Sequence, residues 1–189
     1  MESDYAKKIT RIIRENQWLM QILNTVQKVG LPDWYVAAGA VRSVIWDYFH
    51  GFEKPTPVND VDVIFYDPYD LSHETEKRIE QELQLQMEDT KWDVKNQAAI
   101  HLWYRDVFGY TIPPRTSSID AIATWSPSSI GARLSNGEIE IAAPNGLDDL
   151  CELKFRGNPA YIPNDLFMAR VKKRRIQEKW PLVQIIEEQ

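Results

Sequence analysis

The sequence predicts an α+β fold, and three observations carry that reading. Apolar residues recur at three- and four-residue steps from residue 5 to 29, a two-residue alternation runs from Asp60 to Tyr66, and an Asn136-Gly137 pair separates two strand-like runs. The first pattern is helical, the second extended and the third a hairpin. With 189 residues, 43% hydrophobic and 26% charged, the chain can bury a sizeable core and is too apolar and aromatic for disorder.

The elements follow in order. Ile9, Ile12, Ile13, Leu19, Ile22, Leu23, Val26 and Val29 mark the buried side of one helix over 5–29, which Gly30 ends and Pro32 bars from continuing. Trp34 to Ala38 is a short apolar run, read as a buried strand. After Gly39, the residues Val41, Val44, Ile45, Tyr48 and Phe49 share one face of a helix that stops near Gly51. The segment GFEKPTPVN is loop, and Val61, Val63 and Phe65 then alternate with Asp60, Asp62, Ile64 and Tyr66 as a strand. Asp70 or Ser72 can cap a helix over roughly 71–88, with Glu74 and Glu76 in its favourable first turn. Trp92 to Tyr104 reads as extended, 109–118 as a Pro/Ser/Thr-rich loop, and IGARL and EIEIAA as a type I′ hairpin. A last helix runs from Asn164 to about Lys179, ahead of Pro181. The expected organisation is a single domain over 1–189: the N-terminal helix 5–29, a core of about 34–125, and an additional C-terminal hairpin and helix over about 126–180.

Composition excludes several classes. No run approaches about 18 consecutive apolar residues, so no transmembrane helix and no membrane partner are expected. The N-terminus lacks the apolar stretch and cleavage site of a secretory signal, and one cysteine, Cys151, can form neither an internal disulfide nor a thiolate metal cluster. Both features fit the cytoplasm. A net charge of −6 argues against a broad basic nucleic-acid surface.

The chemistry is carried first by Asp60-Val61-Asp62. Residues two apart on a strand share a face, so the two carboxylates are expected side by side while Val61 and Val63 anchor the other face. At about 5 Å they would repel by roughly 3 kcal/mol at an effective dielectric of 20, which solvent, a shared proton or a cation can relieve. Oxygen-only ligation favours a hard ion, Mg²⁺ or Mn²⁺, in the arrangement used for phosphoryl and nucleotidyl transfer. The second element is Gly39-Ala40, between the strand WYVAA and the helix. A glycine there lets backbone amides approach a ligand, the helix N-terminus favours phosphate, and Arg42 adds charge in the first turn.

Together these form an ordered set. AAGAVRSVIWDYFHG followed by NDVDVIFYD resembles the nucleotidyltransferase superfamily, whose pattern is a small-residue turn, a short helix and an acidic-x-acidic strand. It is most similar to the head domain of CCA-adding enzymes and bacterial poly(A) polymerases. Ala38-Gly39 takes the place of the paired glycines, Val41-Arg42 matches their Val-Arg, and Ser43 stands where Asp is usual. LPDW, GAVR, NDVDV, WDVKNQA and APNGLDDL extend the resemblance to small bacterial nucleotidyltransferase-family proteins of unassigned substrate. The implied fold is a mixed sheet flanked by helices.

The resemblance implies that Gly39, Ala40, Arg42 and Ser43 bind nucleotide, that Asp60 and Asp62 hold the metal, and that a third carboxylate assists. Asp93 is the first candidate for it and Asp120 the runner-up. The implied activity moves an NMP from an NTP to a hydroxyl of a small molecule or protein, releasing pyrophosphate. The chain is short for the neck, body and tail regions that grip tRNA, so RNA is the less favoured acceptor. The alternative is a non-catalytic nucleotide-binding or regulatory domain of the same fold. Lys95, Asn96 and Gln97 can line a pocket or form a polar strand edge. Arg170, Lys172, Lys173, Arg174 and Arg175 form a solvated helix face or a phosphate contact. His101 is expected to be a satisfied strand histidine rather than a general base.

Overall fold

The computed structural model describes residues 4–187. Its framework is a five-stranded mixed sheet in the order β3-β2-β1-β4-β5. The strands are β1 (Tyr35–Ala37), β2 (Val61–Phe65), β3 (Trp92–Asn96), β4 (Gly131–Ser135) and β5 (Glu138–Ala142). Only the β2–β3 pairing is parallel; β1–β2, β1–β4 and β4–β5 are antiparallel. The β4–β5 hairpin turns at Asn136 and Gly137, both at positive φ (51° and 80°), as the type I′ turn requires.

Strand parity assigns the two faces. Val36, Val61, Val63, Phe65, Trp92 and Val94 point into the main core, where Ile9, Ile13, Leu19, Ile22, Leu23, Val41, Ile45 and Trp46 arrive from the helices. Tyr35, Ala37 and Ile64 point the other way and meet Ile122 and Ala142 in a smaller cluster. Asp62, Asp93 and Lys95 share that second, more open face.

The helices that supply the core are α1 (Asp4–Glu15), α2 (Gln17–Val29), α3 (Gly39–His50) and α4 (His73–Gln86). The helix expected over 5–29 is therefore two helices. Asn16 interrupts it, its side chain accepting the Leu19 N–H at 2.9 Å as an N-cap. The apolar spacing survives the break, which is why periodicity alone missed it. A larger correction concerns 92–104: the strand ends at Asn96, and α5 (Ile100–Phe108) follows. Ile100, Trp103, Tyr104, Val107 and Phe108 do have helical spacing, but their aromatic character reads as strand.

Beyond the hairpin lie α7 (Asp148–Cys151), β6 (Lys154–Arg156), α8 (Asn164–Arg174), α9 (Ile176–Lys179) and β7 (Gln184–Ile186), with β6 and β7 paired in parallel. Arg175, in the left-handed region at φ 53°, breaks the expected last helix into α8 and α9. The short α6 (Ser118–Ala123) packs against the sheet so closely that a Cβ on Gly131 would lie 2.9 Å from Ile122. No helix among the described residues is long and apolar enough to cross a membrane.

Candidate functional site

The site is built where β1 ends. Ala37 is the register partner of Asp62, so the chain leaves β1 beside the start of β2 and turns at once into α3. Ala38 makes that turn at φ 52° and ψ −116°. Such a conformation costs an alanine roughly 1–3 kcal/mol. Its N–H donates to the Ile130 carbonyl at 3.0 Å, and its carbonyl accepts the Arg42 N–H at 3.0 Å. Gly39 follows, and a Cβ placed there would meet no atom within 4 Å. The glycine thus borders open space, and the first amides of α3 have no intrahelical partner. Ala40 contributes backbone only, since its methyl is fully buried.

Arg42 is buried, at 3% exposure, between the faces of Trp46 and Phe155, with its guanidinium carbon 5.0 and 4.8 Å from the ring centres. Its Nε has no hydrogen-bond partner. Burial and then the like charge of Arg174 push its pKa down to about 9, against the pull of Asp62, so it is still cationic at neutral pH. Ser43 turns elsewhere. Its hydroxyl donates to the Gly39 carbonyl at 2.7 Å and so braces the turn from within the helix.

Asp62 carries the opposite problem. Burial first, then the charges of Asp60 and Asp93, push its carboxyl up to about 6, with Arg174 and Arg42 pulling it back. Asp93 is its register partner on β3. Lys95, two residues on and on the same face, holds the Asp93 carboxylate at 2.6 Å. Burial works against the Lys95 charge, but the bond to Asp93 outweighs it and raises the Lys95 pKa. Asp60 lies just ahead of β2 and couples to Asp62, yet it lines a different cleft. The two carboxylates were expected side by side; they feel each other's charge, but their side chains line different clefts. Among the described residues neither Asp60 nor Asp62 has a hydrogen-bond or ion-pair partner, and no three His, Cys, Asp or Glu side chains form a ready-made metal cage. Asp120 does not line the cleft that holds Asp62 and Asp93: it accepts the Thr116 N–H at 3.0 Å and its own N–H bonds Ser117 Oγ in the α6 cap.

Asp62, Asp93, Lys95, Gln97, Ala38 and Arg42 line one cleft of about 280 Å³. Its other wall holds residues the sequence reasoning did not place there. Arg170 and Arg174, one turn apart on α8, face the cleft, as do Arg115 and the aromatic rings of Trp103, Tyr104, Trp125 and Tyr161. Their i,i+4 spacing was the available signal that these two arginines share a face, against the reading of a uniformly solvated basic run. Among the described residues Arg115, buried at 9% exposure, has no carboxylate partner, and the buried Trp103 Nε1 has no acceptor. Asn96, by contrast, is structural. Its amide group donates to the Asp67 and Asp70 carbonyls at 2.7 Å each and accepts from the Asp67 and Ala98 N–H groups at 3.0 Å. His101 lies on α5, not on a strand, and its Nδ1 is buried without a partner.

No curated protein matches the chain. A solved protein whose NMR structure reveals a CCA-adding enzyme head domain superposes with a TM-score of 0.78, at 28% identity over 96% of each chain. The sequence profile described as Nucleotidyltransferase matches residues 24–185, from within α2 to β7. The chain belongs to the nucleotidyltransferase family.

Proposed function

We propose that the protein is a metal-dependent nucleotidyltransferase that moves an NMP from an NTP to a hydroxyl of a small-molecule or protein acceptor and releases pyrophosphate. The observation that carries this reading is the pairing of unsatisfied charges at one helix N-terminus. Arg42 is buried and still cationic, and Asp62, without a hydrogen-bond partner among the described residues, is offset only by the charges of Arg174 and Arg42. A nucleotide triphosphate with its cation would bring counter-charge to both at once.

The donor set fits a Mg²⁺ or Mn²⁺ ion. Carboxylate oxygens suit a hard cation that completes its shell with water and phosphate. Asp62, with Asp60 coupled to it from the neighbouring cleft, would hold such an ion, which would supply charge neutralisation at the phosphates. The residues of the chain do the rest. The amides at Gly39 and Ala40 and the Arg42 guanidinium cradle triphosphate oxygens, while Ser43 holds the turn that presents them. Asp93, fixed by Lys95, is the third carboxylate beside Asp62. The acceptor oxygen bonds to the α-phosphorus as the bond from that phosphorus to the pyrophosphate oxygen breaks. Positioning and charge neutralisation dominate such a reaction.

The test is label transfer. With α-³²P-labelled NTPs and Mg²⁺ in a cell extract, label is expected to move from nucleotide to an acceptor, and Asp60→Ala/Asp62→Ala abolishes it. Transfer from γ-labelled but not α-labelled nucleotide would contradict the reading. Specific metal–NTP binding without any transfer would instead identify a non-catalytic nucleotide-binding domain.

A further inference from the structure

The cleft that holds Asp62 and Arg42 has a second end, and α8 runs between the two. Arg174, at the C-terminus of α8, acts by its charge on both Arg42 and Asp62. Arg170, one turn back, acts on Tyr104, whose ring lies against Trp103 and Phe108. Tyr161 precedes the other end of this helix, which is about 16 Å long, and the Arg115 guanidinium carbon stands 5.9 Å from the centre of its ring.

That second end is held in place. Pro113 and Pro114 stiffen the approach to Arg115, and just beyond it the Thr116 N–H donates to Asp120 at 3.0 Å and the Ser118 N–H to Asp33 at 2.7 Å. Asn158 donates to the Ala123 and Trp125 carbonyls at 3.2 and 2.9 Å, and the Tyr161 N–H closes a turn on the Asn158 carbonyl. Arg115 lines the cleft at 9% exposure and has no hydrogen-bond or ion-pair partner among the described residues. The carboxylates of this cleft, Asp62 and Asp93, stand side by side on β2 and β3 at the other end. A guanidinium this buried and unpaired is costly in the free protein, and a ligand that brings acceptors to it recovers that cost.

We propose that Arg115 reads the base of the bound nucleotide and that this base is guanine; the inference rests on the nucleotidyl-transfer reading above. With the triphosphate at Gly39 and Arg42, the rest of the nucleotide extends along α8 toward rings whose faces can stack on a base. The guanidinium fork matches two adjacent acceptors. Guanine offers O6 and N7 in that arrangement, whereas adenine sets its N6 amino group beside N7, donor against donor. Uracil separates its two keto oxygens by an N–H. Cytosine has adjacent O2 and N3 but, as a single ring, covers less of the aromatic wall. A wrong base leaves the buried fork unpaired, which is how a polar site discriminates strongly.

The experiment compares the affinities of the Mg²⁺ complexes of GTP, inosine triphosphate, 7-deaza-GTP, ATP and CTP, with inorganic tripolyphosphate as the base-free probe and amide NMR shifts read in parallel. Inosine triphosphate keeps O6 and N7 but lacks the 2-amino group; 7-deaza-GTP lacks only the N7 acceptor. In the unaltered protein GTP and inosine triphosphate are expected to bind alike, each about tenfold or more tighter than 7-deaza-GTP, ATP and CTP. Arg115→Lys keeps the charge and loses the fork, so GTP should fall to within about threefold of ATP while tripolyphosphate still shifts the Gly39–Arg42 amides. ATP, CTP or 7-deaza-GTP binding as tightly as GTP, or a GTP preference that persists in Arg115→Lys, overturns the inference. In those cases shifts at residues 39–42 leave nucleotidyl transfer standing. No shift at 39–42 with any nucleotide or with tripolyphosphate would instead count against nucleotidyl transfer itself, so the two failures are distinguishable.

Discussion

Asp62 and Asp93 are register partners across the parallel β2–β3 ladder, two carboxylates on neighbouring strands of the same face. Strands lie about 4.8 Å apart, so this pairing builds repulsion into the folded protein. With Asp60 added, the protein concentrates negative charge where the proposed reaction would use a cation.

The first prediction follows from that repulsion. The Asp62 carboxyl is raised to about 6 in the folded state from an ordinary 3.8. Below pH 4 it is protonated whether folded or not and costs nothing. Between pH 4 and 6 the folded state binds more protons than the unfolded, so its stability falls as pH rises, and the full cost stands above pH 6. Asp62→Asn removes the cost and is expected to stabilise the metal-free protein by about 1–3 kcal/mol at pH 7.5, with no gain near pH 4. Chemical denaturation at the two pH values measures it. An Asn variant less stable at pH 7.5 would contradict the account.

The turn ahead of α3 separates folding from binding. Ala38 holds a backbone conformation suited to glycine, whereas Gly39 faces open space at negative φ. Ala38→Gly is therefore expected to relieve strain, with a net gain up to about 1 kcal/mol after the added chain entropy, and to keep nucleotide affinity. Gly39→Ala should leave the fold as stable as before, yet weaken NTP at least about tenfold, or 1.4 kcal/mol, by filling the cradle. Paired melting curves and NTP titrations check both. Equal NTP affinity in Gly39→Ala would remove this cradle from the site.

Arg42→Met tests the buried cation. Methionine fills the space between Trp46 and Phe155 without a desolvated charge. Stability should hold or rise, because an unpaired buried charge is lost along with its ring contacts. Affinity for NTP should fall more than about tenfold, with a shallower salt dependence. A strongly destabilised protein with intact nucleotide binding would make Arg42 structural.

How much of this was legible beforehand differs by element. The alternation from Asp60 to Tyr66 and the Asn136-Gly137 turn are local signals, and local geometry honours both. The Gly39–Arg42 turn was visible because it is a local strand-to-helix junction, whereas the spacing of Asp60 and Asp62 did not reveal that they line different clefts. Asn16 was not, since a capping residue can interrupt a helix without disturbing its apolar stripe. Arg115, Arg170 and Arg174 were not placed either: they reach the Arg42 cleft only through the packing of α8 and the 109–117 loop. The i,i+4 spacing of Arg170 and Arg174 marks a shared helix face, but nothing in it says which cleft that face meets.

Asn96 was weighed as a pocket residue, and the structure makes it a brace between β3 and the 67–70 turn. Asn96→Ala would orphan several buried backbone groups and is expected to cost about 2–4 kcal/mol. Nucleotide affinity of the still-folded fraction should be unchanged. Denaturant titration paired with NTP binding at low temperature separates the two, and a selective loss of affinity would return Asn96 to the site.

The most direct test is an NMR titration of the labelled protein with Mg²⁺ and each of ATP, GTP, CTP and UTP, repeated with Asp60→Ala/Asp62→Ala. The account predicts metal-dependent shifts clustered at residues 38–43, 60–63 and 93–95, together with Arg170 and Arg174, and absent from the double variant. No shifts with any nucleotide, or shifts that persist without the two carboxylates, would contradict it.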